Sequence, residues 1–377
     1  MIEYIIQKKY DWSDDLSKIK DIEKISRKII LNKCTPYDYF SLYNSSIILE
    51  TICNTMDEKI LNYINYHDLS ISIQLIKESI HSFFDISIIE GINTLSFDKY
   101  SDISDKIILK NNDKKLDSMI KKKIESNDIL QAFVIYIQKE YNKVDTKNKT
   151  NVIKIHETVN SINLHITKRR SQNLKKILIS IDDSIELLYK SSYTNKNETI
   201  TFNIRDIQFK EYNSTTNSIE CLFIHTLTKQ IRSECNEYYK YLFSVYYSFY
   251  SKIDISHINN LIQSIKTIDI LNCKSLMVKE YNLSKPTIKY HKNSFFNIQE
   301  IFHPLIEKLE TNEMYVKNNV SLGKEENGIL LFGTNAVGKT SLIKSIGIAV
   351  LMAQCGLYVP CSSMEYYPYE YIFTRII

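Results

Sequence analysis

Glycine is nearly missing from most of this chain. There are 7 in 377 residues, and six of them (Gly323, Gly328, Gly333, Gly338, Gly347, Gly356) lie in the last 55. The first 322 residues hold only Gly91. Such a distribution predicts a change of architecture near residue 300. Proline is also scarce: five residues (Pro36, Pro286, Pro304, Pro360, Pro368) leave room for long uninterrupted helices. The seven cysteines include no C-x-x-C pair and no matching histidine spacing, which argues against zinc. Their odd number fits reduced thiols in an intracellular setting. No apolar run approaches the ~18 residues of a membrane span. The N-terminal Met-Ile-Glu-Tyr-Ile-Ile-Gln has the form of neither a signal nor a transit peptide. A net charge of +4 is too small to specify a partner, so the local distribution of charge must be read instead.

What is present is helical periodicity. Ile19, Ile22, Ile25 and Ile29 recur at three- and four-residue steps, one face of a helix. Thr35-Pro36 has the form of a helix start, with threonine as cap and proline in the first turn. Ser70 to Phe84 repeats the pattern. Asp113 to about Tyr141 predicts a long helix with Leu116, Ile120, Ile124, Ile129 and Phe133 on one side. A polar hinge follows, Asn142 to Asn151. The period then changes. Val152, Ile155, Ile162, Leu164 and Ile166, and later Ile200, Phe202 and Ile204, sit in near alternation with polar residues, which predicts short strands. Ile219 to Phe249 predicts a second long helix with a seam of Ile219, Phe223, Leu227, Ile231, Cys235, Leu242 and Phe249. A long helix out, a small unit, and a long helix back predict a small head on a two-helix arm. Ile255 to Tyr281 closes the helical part.

The charge is concentrated in the head. Between Lys143 and Leu178 stand Lys143, Lys147, Lys149, Lys154, Lys168, Arg169, Arg170, Lys175 and Lys176 against Asp145 and Glu157. The segment is therefore +7 and the remainder of the chain −3, within the total of +4. A compact basic patch is the footprint of phosphate-backbone binding; a solvated lysine-rich surface reads the same on charge alone.

The sharpest motif lies near the C-terminus: Gly333-Thr334-Asn335-Ala336-Val337-Gly338-Lys339-Thr340, followed by Ser341. An apolar run, Ile329 to Phe332, precedes it and predicts a strand. Ser341 to Gln354 predicts a helix. Strand, glycine loop and helix in that order are the context that makes G-x-x-x-x-G-K-[ST] a phosphate-binding loop. Loop amides cradle phosphate oxygens at the positive end of the following helix. Lys339 is then placed to reach β- and γ-phosphates, and the Thr340 hydroxyl to ligate Mg²⁺. Tyr358-Val359-Pro360 and Tyr371 to Arg375 have the look of strand ends.

With these motifs the C-terminal part resembles MutS, the DNA mismatch-repair ATPases. Phe302-His303-Pro304-Leu305-Ile306-Glu307 is similar to the family's R-H-P-V-[IV]-E entry, with Phe302 in place of arginine. Tyr315 to Leu322 is similar to its F-V-x-N-D-[VI]-x-L segment, and Gly333 to Ser341 to its G-P-N-M-x-G-K-S-T loop. Ala349 to Pro360 and Ile372 to Ile376 resemble two further family runs. Upstream, Lys20 to Ile29, Leu164 to Lys168 and Ile268 to Pro286 are similar to its core helix, clamp strand and returning helix. The NAVGKTS form of the loop is similar to the branch carried by large DNA viruses.

The resemblance implies a mixed fold: a mainly α-helical core and lever with a small β-containing clamp, then a truncated α/β P-loop ATPase domain. The implied boundaries are 1–142 for core and outgoing lever, 143–211 for the clamp, 212–297 for returning lever and core, and 298–377 for the first part of the ATPase domain. It implies ATP and Mg²⁺ as cofactors, with Gly333 to Ser341 on the phosphates and metal. Tyr315 would be the adenine stacker, with Val316 and Asn318 beside it. It implies double-stranded DNA as partner, gripped at Lys168, Arg169, Arg170, Lys175 and Lys176. A second copy or a MutS-like partner is expected in the intact protein, and no membrane. The expected location is intracellular: the cytoplasm, or a viral factory. Ile177 to Asp183 imitates an apolar run ending in aspartate, but it precedes the loop and is read as structure. No catalytic carboxylate follows the loop, so this chain is expected to be a fragment whose hydrolysis alone is negligible. The alternative is a non-enzymatic DNA-binding or partner-docking module with a vestigial nucleotide site.

Overall fold

The computed structural model describes residues 1–94, 104–144, 152–157, 162–309, 315–334 and 337–374. The described chain is mostly helical with small sheets. In order it runs α1 Ile2–Lys8, α2 Ser13–Lys18, α3 Ile22–Ile30, α4 Pro36–Asn54, α5 Glu58–Tyr63, α6 Tyr66–Phe83 and α7 Ile86–Ile89. Then come α8 Lys114–Val144, β1 Lys154–Glu157, β2 Ile162–Thr167, α9 Lys168–Ile179, β3 Ser184–Lys190, β4 Asn197–Asn203, β5 Gln208–Glu211 and β6 Thr216–Glu220. The remainder is α10 Leu222–Ser248, α11 Ile255–Glu280, β7 Thr287–Ile288, β8 Phe295–Ile301, α12 Pro304–Leu309, β9 Asn318–Leu322, α13 Lys339–Gln354 and β10 Ser363–Tyr367. No described helix is long and apolar enough to cross a membrane. The chain divides into two compact units: Met1–Ile22 with Asn44–Leu75 and Ser256–Ile377, and Glu23–Tyr43 with Ile76–Ile255.

The second unit contains the arm and head that the sequence predicts. α8 and α10 lie antiparallel: the Tyr241 hydroxyl donates to Asp113 (3.1 Å), and further along the Ser126 hydroxyl donates to Glu234 (2.8 Å). Helix starts follow the local chemistry. The Asp113 carboxylate accepts from the Leu116 N–H (2.8 Å) at the head of α8. At α4 the Thr35 hydroxyl accepts from the Asp38 N–H (3.2 Å) while Asp38 accepts from the Thr35 N–H (2.8 Å), a reciprocal capping box. The head core joins the far half of α8 (Phe133, Ile137) and the near half of α10 (Leu227, Ile231) to Leu164, Ile166, Leu174 and Ile219. Four strands form an antiparallel sheet in the order β1-β2-β6-β5, and β3 pairs with β4 as a hairpin.

One buried feature of the arm breaks the apolar pattern. Lys123 on α8 is 1% exposed, and its ammonium bonds both Asp105 oxygens at 2.8 and 3.0 Å. It also lies 5.1 Å from the centre of the Tyr238 ring of α10. A charge held so deeply requires its counter-charge.

In the first unit, the single tryptophan ties distant segments together. The Trp12 indole N–H donates to the Thr55 hydroxyl (3.0 Å), and its backbone N–H donates to the Asn272 side chain (3.1 Å). A four-stranded sheet, β7-β10-β8-β9, is antiparallel except between β7 and β10. Against it packs α13, through Ala349, Val350 and Ala353 onto Phe296, Ile298, Met364 and Tyr366. Gly323, at the end of β9, has φ +94°, and a Cβ there would stand 2.3 Å from the Ser294 carbonyl, so glycine is required.

Two expected strands are not formed. Ile329 to Phe332 is irregular, with Leu330 86% and Phe332 85% exposed, and Tyr371 to Thr374 is irregular as well. A strand is held by a neighbouring ladder, and no described strand runs beside either segment. Arg375, the end of the second expected strand, lies outside the described residues. α13 begins at Lys339, two residues before the expected start.

Asp105→Asn leaves the Lys123 ammonium buried without its partner charge and is expected to lower unfolding stability by about 3–5 kcal/mol. Urea titration of the single variant beside the apolar pair Lys123→Met/Asp105→Leu checks this, the pair being expected to recover most of the loss.

Candidate functional site

The glycine loop is organised by its own lysine. The Lys339 ammonium donates to the Gly333 carbonyl (2.8 Å) and to the Thr334 carbonyl, closing the loop on itself. Gly338 caps α13 with φ 88°, in the left-handed region, and nothing lies within 4 Å of where its Cβ would be. The Leu342 N–H donates back to the Gly338 carbonyl (2.9 Å) and starts the helical ladder. The N–H groups of Lys339, Thr340 and Ser341 precede that first bond, so they point out of the helix end. Val337 and Thr340 are exposed, and Ser341 is half-buried with its carbonyl accepting from the Ser345 hydroxyl (2.8 Å). Asn335 and Ala336 lie outside the described residues.

A second cluster surrounds His303, which is buried just before Pro304. The His303 ring accepts from the Ile306 N–H (3.4 Å), and the His303 backbone N–H donates to the Tyr315 hydroxyl (3.1 Å). Burial first, then the charge of Lys344 on α13, holds its pKa below the ordinary 6.5. Tyr315 is thus fixed through its hydroxyl. Val316 is 76% exposed, and the Asn318 amide donates to the Val316 carbonyl (3.0 Å).

The basic residues of the second unit centre on α9. Ser171, Leu174 and Leu178 face inward, and the Ser171 hydroxyl accepts from Asn217 of β6 (2.8 Å). That orientation leaves Arg169, Lys175 and Lys176 exposed, with Arg170 half-buried. Lys168 is ion-paired with Glu211, and Lys143 with Glu140 (2.6 Å). Lys168, Arg169 and Arg170 crowd the first turn of α9, which holds no acidic residue. Cations there oppose the helix dipole, at about 0.3–1 kcal/mol each on an exposed helix. Lys147 and Lys149 lie outside the described residues.

Sequence reasoning missed the other face of the same sheet. His165 is buried, its ring parallel to His156 (centroids 5.3 Å, 7°) and 4.1 Å from Tyr212. Its Nε2 has no hydrogen-bond partner among the described residues. Burial, and then His156, hold His165 below the ordinary 6.5. The signal was there to read: Lys154 and His156 alternate with Ile155, as His165 does with Leu164 and Ile166.

Residues 329–377 match the MutS domain V family. Along 96% of this chain, a putative DNA mismatch repair protein mutS homolog of Acanthamoeba polyphaga mimivirus is 24% identical. Along 98%, the DNA mismatch repair protein MutS of Alkaliphilus metalliredigens is 26% identical. The mitochondrial DNA mismatch repair protein mutS homolog of Sarcophyton glaucum is 32% identical over 144 residues, 37% of the chain. The chain is thus similar to MutS proteins along nearly its whole length, and to MutS domain V at residues 329–377. It spans 35%, 37% and 14% of the lengths of these three relatives, respectively.

As pH falls, an unfolded histidine takes up its proton near 6.5, before a folded one whose pKa is depressed. The unfolded state therefore binds more protons in that window, and stability falls from about pH 6.5 downward. The urea midpoint of the chain is expected to drop between pH 7.5 and 5.5, and to drop less in His165→Phe.

Proposed function

We propose that this chain binds ATP at the Gly333–Ser341 loop and couples that binding to clamping of duplex DNA, as part of DNA mismatch repair. The observation that carries the reading is the closed ring from Gly333 to Lys339 at the head of α13, inside the segment that matches MutS domain V. The residues fit the group. A lysine spans the loop, helix-start amides point outward, and the exposed Thr340 hydroxyl supplies a hard oxygen ligand for Mg²⁺. On this reading Lys339 neutralises phosphate charge and Thr340 holds the metal. Tyr315, with Val316 and Asn318, lines the adenine side, and residues 298–377 form part of an α/β P-loop ATPase domain. Bound ATP with Mg²⁺ supplies a compact anionic group that the loop grips only in that state.

Core, lever and clamp follow the same assignment: 1–142, 143–211 as clamp, and 212–297 returning. The antiparallel α8 and α10 and the basic α9 support it. The crowded cations of the first turn of α9 are costly for folding and favourable for phosphate, and Lys168, Arg169, Arg170, Lys175 and Lys176 are assigned to the DNA backbone. A second copy or a MutS-like partner completes the assembly.

Lys339→Ala is expected to weaken ATP binding by about ten- to a hundredfold, the loss of a charge-assisted contact. Calorimetric titration with ATP and Mg²⁺ measures it, and unchanged affinity removes the phosphate assignment. Reversal of charge in Arg169→Glu/Arg170→Glu should reduce duplex affinity and flatten the slope of log K against log salt by about 2. Duplex binding that keeps its affinity and slope removes the clamp assignment.

A further inference from the structure

The head sheet has two faces of opposite character. Ile155, Ile162, Leu164, Ile166, Phe209 and Ile219 point into the head core. The alternate positions point the other way, and every one of them on the four strands is polar or aromatic. Register places Lys154, His165, Ser218 and Lys210 in one row across the sheet, Lys154 opposite His165 and Ser218 opposite Lys210. His156 and Tyr212 lie diagonally on either side of His165 and pack against its ring. His165 is buried between them, while His156 is exposed and Tyr212 is 54% exposed. The result is two open aromatic faces held by a third ring, with an exposed lysine at each end of the row.

We propose that this face binds unpaired nucleotides of a single-stranded nucleic acid, one base stacking on Tyr212 and another on His156. The proposal goes beyond the duplex reading of α9 and does not depend on it. Three observations favour this occupant. Aromatic faces stack bases of any sequence, because every base presents a π-face. Lys154 and Lys210 flank the rings where a strand's phosphates must run, Lys210 sharing its charge with Glu220 at 2.5 Å. The face also continues into a cavity of about 420 Å³, to which Asn163, Gln208, Ser218 and Asp206 contribute amide, hydroxyl and carboxylate groups. Those groups are suited to the donor and acceptor edges of an unstacked base. A duplex buries both the π-faces and the pairing edges of its bases, so it presents nothing to this surface but its backbone.

His165 acts here as a positioning residue: its ring is covered and fixes the planes of the two rings that are not.

The test uses the full chain with fluorescein-labelled dT20, rU20 and a 20-base-pair duplex, followed by anisotropy. Tyr212→Ala and His156→Ala alter exposed side chains only. Each is expected to weaken binding of the single strands by about five- to a hundredfold and leave duplex affinity unchanged. Tyr212→Phe keeps the π-face and should bind single strands as the parent does. Comparable losses for dT20 and rU20 assign recognition to bases and phosphates; a loss confined to one of them adds recognition of its sugar. The proposal is overturned if the parent chain fails to bind either single strand, if both alanine variants bind them as tightly as the parent, or if duplex and single-strand affinities fall together. Loss of duplex binding in Arg169→Glu/Arg170→Glu with single-strand binding kept would separate the two surfaces.

Discussion

The nucleotide loop depends on how closely α13 approaches its sheet. Ala349 and Ala353, one turn apart, are 0% and 2% exposed against β8 and β10. Side chains that small let the helix axis come near the strands, and Val350 fills the space between them. The far end of the helix is held too. The Tyr366 hydroxyl donates to the Ala353 carbonyl (2.9 Å), and the Lys274 ammonium donates to the Gly356 carbonyl (3.2 Å). The first adds a second donor to a carbonyl that already accepts the Gly356 N–H (3.1 Å), and the lysine suits the negative end of the dipole. A helix fixed along its length and at its C-terminus has a fixed N-terminus, which is where Gly338 and Lys339 must be.

Much of this was legible because the signals were local. Thr35-Pro36 started a helix through a capping box within four residues. The seam of Leu227, Ile231, Cys235 and Leu242 is buried as its spacing required. The strands around Ile155, Leu164 and Phe202 followed from alternation. What was not legible is non-local. Lys123 reads as one more solvated lysine in a Lys-Lys-Lys run, and only the fold reveals Asp105 and Tyr238 around it. Ile329 to Phe332 has strand composition, yet composition cannot supply the neighbour whose ladder would hold it. The loop was legible as a motif, since glycine scarcity made it stand out. Its closure by Lys339 onto Gly333 was not, because a sequence pattern carries no side-chain direction.

Charge behaves differently in the two candidate surfaces of the head. On α9 the cations stand against the dipole of their own helix, so the folded chain bears a cost that an anion removes. Lys168 relieves part of it through Glu211, which leaves Arg169, Lys175 and Lys176 as the outward charge. On the sheet face the lysines are spread to the ends of one row and the centre is aromatic. One surface is suited to a continuous line of phosphates, the other to flat rings between phosphates.

His165 shows why that second surface is not an ordinary solvated sheet face. Cross-strand pairs on an exposed face are usually worth a few tenths of a kcal/mol to about 1 kcal/mol, and they leave polar atoms to water. Here a ring nitrogen is covered without a partner among the described residues, at a cost comparable to a lost hydrogen bond. The same burial keeps the ring neutral, and a neutral ring can lie parallel to His156 without charge repulsion. The folded chain bears that cost for an arrangement that holds two aromatic planes open to solvent, and stability alone gives no reason to keep them so. A phenylalanine at 165 would fill the same space without the orphaned nitrogen. Stability therefore favours replacement at this position, and what the covered ring does there is hold the two stacking faces beside it.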